Sequence, residues 1–298
     1  MEYLLSIIIG ILEEGLVYAI MALGVYITYK ILDFPDLSVD GTFPLGGAIT
    51  AVLIIAGVPP MVTLFLAFLL GALAGVLTGL IHVKLKVRDL LSGIIMMTAL
   101  YSLNLRIAGK ANVAIFTKET IFDNAFLDRI APERMKDYVT VVILLVIVVI
   151  MKLLLDIYLK TKSGYLLRAV GDNDTLVTSL AKDKGVVKII GLAIANAFVA
   201  LAGSIYTQKS GFFEISSGTG TIVIGLASVI IGTNMFKQFT LIKATTAVIF
   251  GSIIYKACVA LAIALGMAAS DLKLITAVLF LVILVISNER KRRVKAND

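Results

Sequence analysis

Apolar residues run along this chain in long unbroken blocks, not in the alternation of a half-buried strand or the one-sided stripe of a soluble helix. The blocks fall at about 4–30, 43–57, 60–81, 90–108, 138–158, 186–206, 220–234, 240–264 and 272–287, and they read as helices that are apolar on every face. A helix needs ~20 residues to cross the hydrocarbon of a bilayer, so 43–57 and 220–234 are short. The pattern predicts an all-α integral membrane protein with about nine transmembrane helices, or ten if 109–137 contains a half-helix.

Composition agrees with the pattern. Of 298 residues, 59% are hydrophobic and 16% charged, where a soluble domain carries about 25% charged residues. No soluble core of this size hides so much apolar surface, so the solvent for most of these helices is lipid. The first apolar run has no basic leader and no small-residue cleavage site, and it is too long for a signal peptide, so it reads as a spanning helix. Cys258 and His82 are the only cysteine and histidine. The chain therefore has no disulfide framework and no thiolate metal site, and His82, beside Val83 and Lys84, reads as a membrane-surface residue.

Charge sets the orientation. The segments 30–42, 82–89, 159–185, 235–243 and 288–298 carry sixteen Lys or Arg, against six in 109–137 and 207–219. The positive-inside rule puts the first group in the cytoplasm, including the run Arg290-Lys291-Arg292-Arg293. Nine spans then leave the N-terminus outside. The net charge of +7 belongs to helix ends facing anionic lipid and not to a nucleic-acid site.

The chain also repeats itself. Asp36-Leu37-Ser38 matches Glu214-Ile215-Ser216, and Gly41-Thr42 through Gly46 and Ala48 matches Gly220-Thr221 through Gly225 and Ala227. Leu70-Gly71-Ala72 falls near Phe250-Gly251-Ser252, and Arg88-Asp89-Leu90 near Ser270-Asp271-Leu272, all at an offset of about 178 to 182. The charge bias places the two copies on opposite sides of the membrane, so the repeat is inverted, as in many transporters. A single membrane domain, 1–298, would then divide into repeat 1 (about 4–158), a cytoplasmic coupling segment (159–185), repeat 2 (about 186–287) and a basic tail (288–298).

Five groups of residues stand out. Gly71, Gly75 and Gly79 lie on one helix face, where missing side chains let a neighbouring helix approach. Asn104 and Asn196 suit interhelical hydrogen bonds. Segment 33–47 holds Asp33, Pro35, Asp36, Ser38, Asp40 and Gly41 between two spans; it reads either as a cytoplasmic turn in which Asp40 or Thr42 caps the next helix, or as irregular backbone lining a pathway. Its repeat mate, with Glu214, Ser216, Ser217 and Gly218, carries the same two readings. Glu13 and Glu14 lie inside the first span, where a charge needs water, a proton or a partner, and Lys256 is a candidate partner.

The fifth group is Gly164, Leu167, Arg168, Ala169, Gly171, Asp172 and Asn173 in the long polar segment 159–185. It predicts a short helix ended by Gly171 and a second begun at Asn173 or Asp174. Such a helix on the membrane surface is a docking handle for a soluble partner.

Around Gly164, Leu167-Arg168-Ala169-Val170-Gly171 and Asn173, the chain resembles the cytoplasmic loop of branched-chain amino acid and ribose permeases of bacterial ABC importers. Segment 12–48, from Leu12-Glu13-Glu14-Gly15-Leu16 through Ile31-Leu32-Asp33-Phe34-Pro35-Asp36-Leu37 to Val39-Asp40-Gly41, is more similar to the subfamily linked to binding proteins for aromatic amino acids such as tryptophan or tyrosine. The resemblance covers about 15–285 and implies the type II importer fold, with an inverted repeat shared with ribose and cobalamin importers. It implies a permease homodimer in the bacterial plasma membrane, two copies of a separate ABC ATPase that holds ATP and magnesium, and an extracellular binding lipoprotein. Branched-chain permeases have an Asn-Phe-Ala-His-Gly-type stretch where this chain has Phe34-Pro35-Asp36-Leu37-Ser38, so a branched-chain substrate does not carry over.

The expected function is therefore the non-catalytic permease of an ATP-driven importer of a small solute, an amino acid and an aromatic one foremost. The chain has no phosphate-binding Gly-x-x-x-x-Gly-Lys-Ser/Thr loop, so it cannot power itself with ATP. The alternative is a proton-coupled secondary transporter using Glu13 and Glu14 or the Asp33, Asp36 and Asp40 group.

Overall fold

The structure is a computed structural model that describes residues 2–130, 135–172, 183–239, 242–266, 271 and 274–285. Its helices are α1 (Glu2–Val25), continued by a π-helical stretch to Ile31, α2 (Val39–Ile55), α3 (Pro60–Val83), α4 (Asp89–Ala108), α5 (Ala125–Ile130), α6 (Lys136–Tyr158) and α7 (Lys162–Asp172). They are followed by α8 (Lys184–Ser210), α9 (Thr221–Met235) and α10 (Ala244–Ala264), and by α11 (Leu274–Val285). The chain is an all-α membrane protein apart from one ribbon, in which β1 (Asn112–Ala114) pairs antiparallel with β2 (Phe212–Glu214), Asn112 opposite Glu214. Seven of the described helical segments are long and apolar enough to cross a bilayer, and α2 and α11 are shorter apolar helices.

Long-range contacts sort the connections onto two faces. On one, the basic face, the ring of Phe34 meets that of His82 at 5.1 Å, Gly171 lies against Ile31, and Lys243 of α10 pairs with Asp156 of α6 at 3.1 Å. On the far face, the β1–β2 ribbon joins the connection after α4 to the one after α8. Gln208 there accepts from the Ile121 amide at 3.0 Å and donates to Thr63 at 3.1 Å. Connections carrying the basic excess thus share one face.

The core is where helices meet through glycine. Gly75 of α3 sits so close to α8 that an added Cβ would lie 2.1 Å from the Leu192 carbonyl oxygen. Without a hydrophobic drive for association in lipid, such close backbone approach supplies the packing. Outer surfaces of α3, α4 and α6 remain apolar and exposed, as at Phe65, Leu73, Tyr101 and Leu154, which suits a lipid-facing shell.

The repeat is legible in the contacts. α3 packs on α8 through Gly71, which lies against Asn196 and Ala200. In the second copy α10 meets α1, where Ser252, the counterpart of Ala72, donates to the Gly15 carbonyl at 2.8 Å, whereas Gly251, the counterpart of Gly71, packs on Ser228 and Gly232 of α9. Gly46 of α2 packs on Ala200 of α8, and its counterpart Gly225 of α9 packs on Val25 and Met21 of α1. One run of α2 leads toward the far face and α9 toward the basic face, so the copies are antiparallel.

Candidate functional site

Two short helices meet N-terminus to N-terminus inside this bundle. α1 ends in the π-helical stretch Tyr26–Ile31, and the chain then turns inward through Asp33, which adopts a left-handed φ of 51°. The following residues reach deep into the core. Asn196, twelve residues into α8, donates to Asp36 Oδ2 at 2.8 Å, while the Ser38 amide donates to Asp36 Oδ1 at 2.9 Å. The Ser38 hydroxyl donates to Asn196 Oδ1 at 3.2 Å. Asp36 and Ser38 are fully buried. A carboxylate at such depth is tolerable only with donors in place, and here the turn and α8 supply them.

α2 begins from this buried turn, and its first turn holds the other short helix. The Gly220 and Ile222 amides donate to Asp40 at 2.9 and 2.8 Å, and the Thr221 hydroxyl donates at 2.9 Å. Asp40 therefore caps α9, satisfying amide groups that a helix start leaves open and placing negative charge at its positive end. It does not cap α2, its own helix; the cap expected there is corrected to a cap across the repeat. Positions 40 and 220–222 are themselves related by the repeat offset, so the symmetry axis of the repeat passes close to this contact. Gly218 completes it: a Cβ there would lie 2.1 Å from the Asp40 carbonyl oxygen and 2.5 Å from the Pro44 ring. Pro44 lacks the amide hydrogen that would otherwise engage that carbonyl. Asn104 of α4 donates to the Gly41 carbonyl at 2.9 Å and ties the junction to a third helix.

The three aspartates read as one group are thus separated. Asp33 and Pro35 are exposed toward the basic face, Asp36 is sealed in the core, and Asp40 serves α9. The three side chains therefore do not form one cluster. The second copy is less enclosed. Glu214 and Ser216 are exposed, bonded to each other, and Ser217 is half-buried.

Both glutamates of α1 have lysine partners. Glu13 pairs with Lys209 of α8 at 3.0 Å, and Glu14 with Lys256 of α10 at 2.8 Å. Lys256 also stands 3.9 Å over the ring of Tyr18, which stacks on Phe43 at 5.8 Å. In the sequence Lys209 reads as a loop charge, and the intramembrane carboxylates of α1 are the signal that it has a partner. These pairs border a cavity of about 420 Å³ between the far-face halves of α1 and α10.

On the basic face, α7 divides the residues grouped for docking. Gly164 packs on Tyr158 and Leu159, Leu167 against Gly191 of α8, and Gly171 against the Ile31 carbonyl. Arg168 and Asp172 point to solvent, and Ala169 is half-buried. The helix continues through Gly171 to Asp172; Gly171 does not end it, because its missing side chain is needed for contact with α1. Asn173 lies outside the described residues, as does the basic tail. Gly71, Gly75 and Gly79 all face α8. Among the described residues no group of three metal-ligating side chains occurs.

Comparison with known proteins places this architecture. Residues 7–287 match the family model described as branched-chain amino acid transport system / permease component. The chain belongs to that family. It is 46% identical to the tyrosine transport system permease protein of Clostridioides difficile (strain R20291) over 284 residues, 95% of this chain and 92% of that one. It is 30% identical to an uncharacterised protein of Rickettsia prowazekii (strain Madrid E), covering 93% of this chain and 96% of that one. A more distant relative is the ribose import permease protein of Haemophilus influenzae, 24% identical over 76% of this chain and 68% of that one. No solved structure matches the chain. The family member described here is a non-catalytic permease, a multi-pass protein of the bacterial plasma membrane.

Proposed function

We propose that this permease is the membrane subunit of an ATP-driven importer for an amino acid, an aromatic one foremost. The observation that carries the reading is the 46% identity, along nearly the whole chain, to a permease named for tyrosine transport. In this reading the basic face is cytoplasmic, and two permease copies work with two copies of a separate ATPase. A binding lipoprotein delivers substrate to the far face. The pathway runs past Glu13 and the junction of α2 with α9, bordered by 33–47 and 214–220. The buried residues Asp36, Ser38, Gly41 and Gly218 hold this junction in shape, while the exposed Glu214, Ser216 and Ser217 lie at its far-face approach.

α7 is the element that carries motion from the ATPase. Its buried side is locked to α1 and α8 through Leu167 and Gly171, so a push on it moves the turn before α2. Its exposed Arg168 offers a planar fork of donors for a carboxylate or helix-end carbonyls of the partner. The test is reconstitution of the permease with the ATPase and binding protein encoded beside it, measuring assembly, ATP hydrolysis and uptake of tyrosine. ATP-dependent uptake is expected. Arg168→Ala leaves the permease folded but weakens assembly or uncouples hydrolysis from uptake. Absence of ATP-dependent amino-acid uptake by the wild-type assembly defeats the importer reading, and normal values for all three in Arg168→Ala defeat the coupling assignment.

A further inference from the structure

The pair between Glu14 and Lys256 opens onto the 420 Å³ cavity, which Lys209, Ile11 and Gly10 also line. That volume lies within the ~300–1,000 Å³ usual for small-molecule sites, which combine apolar walls with a few convergent polar groups. The two sides are unequal. The Glu14 side chain is 46% exposed and reaches into the open volume, while Lys256 is 12% exposed and fixed beneath it over Tyr18.

We propose that this cavity binds a zwitterionic α-amino acid, with Glu14 taking its ammonium group, Lys256 and Lys209 taking its carboxylate, and the apolar wall taking its side chain. The proposal deepens the permease reading above and rests on it. Its physical basis is charge balance. Glu13, Glu14, Lys209 and Lys256 sum to zero, so the site is neutral when empty. A zwitterion is neutral as well, and its two charges replace the internal partners one for one. An amine that takes Glu14 would leave the buried Lys256 without a carboxylate, which is costly, and a carboxylic acid that takes Lys256 would leave the half-exposed Glu14 without its lysine, which costs less. The site therefore prefers an amino acid to the amine or the carboxylic acid with the same side chain. Lys256 keeps a second partner, the Tyr18 ring, while Glu14 turns to the ligand. Gly10 supplies room: a Cβ built there meets no atom within 4 Å.

The test uses the full permease in nanodiscs without ATPase or binding protein, with radiolabelled L-phenylalanine as probe. Saturable binding in the millimolar range or tighter is expected. Phenethylamine, which lacks the carboxylate, and 3-phenylpropionate, which lacks the ammonium, are each expected to compete at least about tenfold more weakly. Lys256→Gln is expected to weaken phenylalanine binding much more than phenethylamine binding and so to narrow the gap between them, a change in selectivity that a purely structural role would not produce. Gly10→Leu directs a side chain into the cavity from a point where a Cβ meets no atom, so it is expected to abolish binding while the melting temperature stays the same or rises. Absence of saturable binding, competition by either analogue as strong as that of unlabelled phenylalanine, or unchanged binding in Gly10→Leu each overturns the proposal. Uptake by the reconstituted importer that is normal in Gly10→Leu would also overturn this site while leaving the importer reading intact. A wild-type importer that takes up no amino acid counts against that reading alone, because binding to the isolated permease is measured separately.

Discussion

The two copies of the broken segment, 33–47 and 214–220, start from similar sequences and end in different circumstances. In the first, Asp36 is sealed against α8, and the turn before α2 is anchored by buried hydrogen bonds at Asp36 and Ser38. In the second, Glu214 is exposed on the far-face ribbon, and α9 borrows its cap from Asp40 of the first copy. The repeat has preserved the backbone device, a short helix whose N-terminus stops inside the bundle. The side chains have since divided the work. One copy holds position, and the other is held by it.

That asymmetry can be broken at graded cost. The largest effect is expected at the equivalent glycines. Gly46→Ala would drive a Cβ to within 1.9 Å of the Ala200 carbonyl oxygen, rigid backbone on both sides, and should cost ~3 kcal/mol or more, because overpacking against backbone has no side-chain escape. Gly225→Ala meets the Val25 side chain at 2.7 Å and the flexible end of Met21 at 3.3 Å, and a cost of about 1 kcal/mol is expected. Thermal unfolding in detergent, followed by size-exclusion chromatography, ranks the two; equal losses would show that the copies are packed alike.

Next comes the buried carboxylate. Asn196→Leu removes the donor that Asp36 depends on in the core and should destabilise the permease by ~3 kcal/mol, the cost of stranding a buried charge. Asp36→Asn keeps the shape and removes the charge, and should cost less than Asn196→Leu in the same assay. The reverse order would mean that Asn196 does not exist to serve Asp36.

Asp40→Ala is expected to cost about 1–2 kcal/mol, the range of a lost helix cap. Its effect should be local to α9, read as faster amide exchange at 220–222 with α2 unchanged. Slower or equal exchange there would remove the cross-repeat cap from the account. The smallest effect belongs to Glu214→Gln. An exposed side chain away from the core is expected to stay within about 0.5 kcal/mol of wild type, and a loss as large as that of Asp40→Ala would erase the contrast between the copies.

Much of this protein was determined by its sequence alone. The apolar blocks placed the spanning helices within a few residues, because a helix in lipid must be apolar along its whole length and the chain has no freedom to hide that. The glycines at 71, 75 and 79 marked a close helix contact because their spacing returns to one face on every turn. The repeat was visible because Gly41 and Gly46 recur as Gly220 and Gly225 in the same register. The membership of a permease family followed from motifs spread over nearly the full chain.

Only the tertiary structure decided which charge meets which. Glu13 and Glu14 are neighbours in sequence, yet they point to lysines on two different helices, 196 and 242 positions away. Three aspartates within eight residues go to the surface, the core and a foreign helix. Gly171 looked like a helix stop and is a contact surface for α1. Each outcome depends on how helices are rotated and set against one another. Where lipid surrounds the bundle, that rotation is chosen by the few positions at which backbones can touch and polar groups can be satisfied, and those partners lie far apart in the chain.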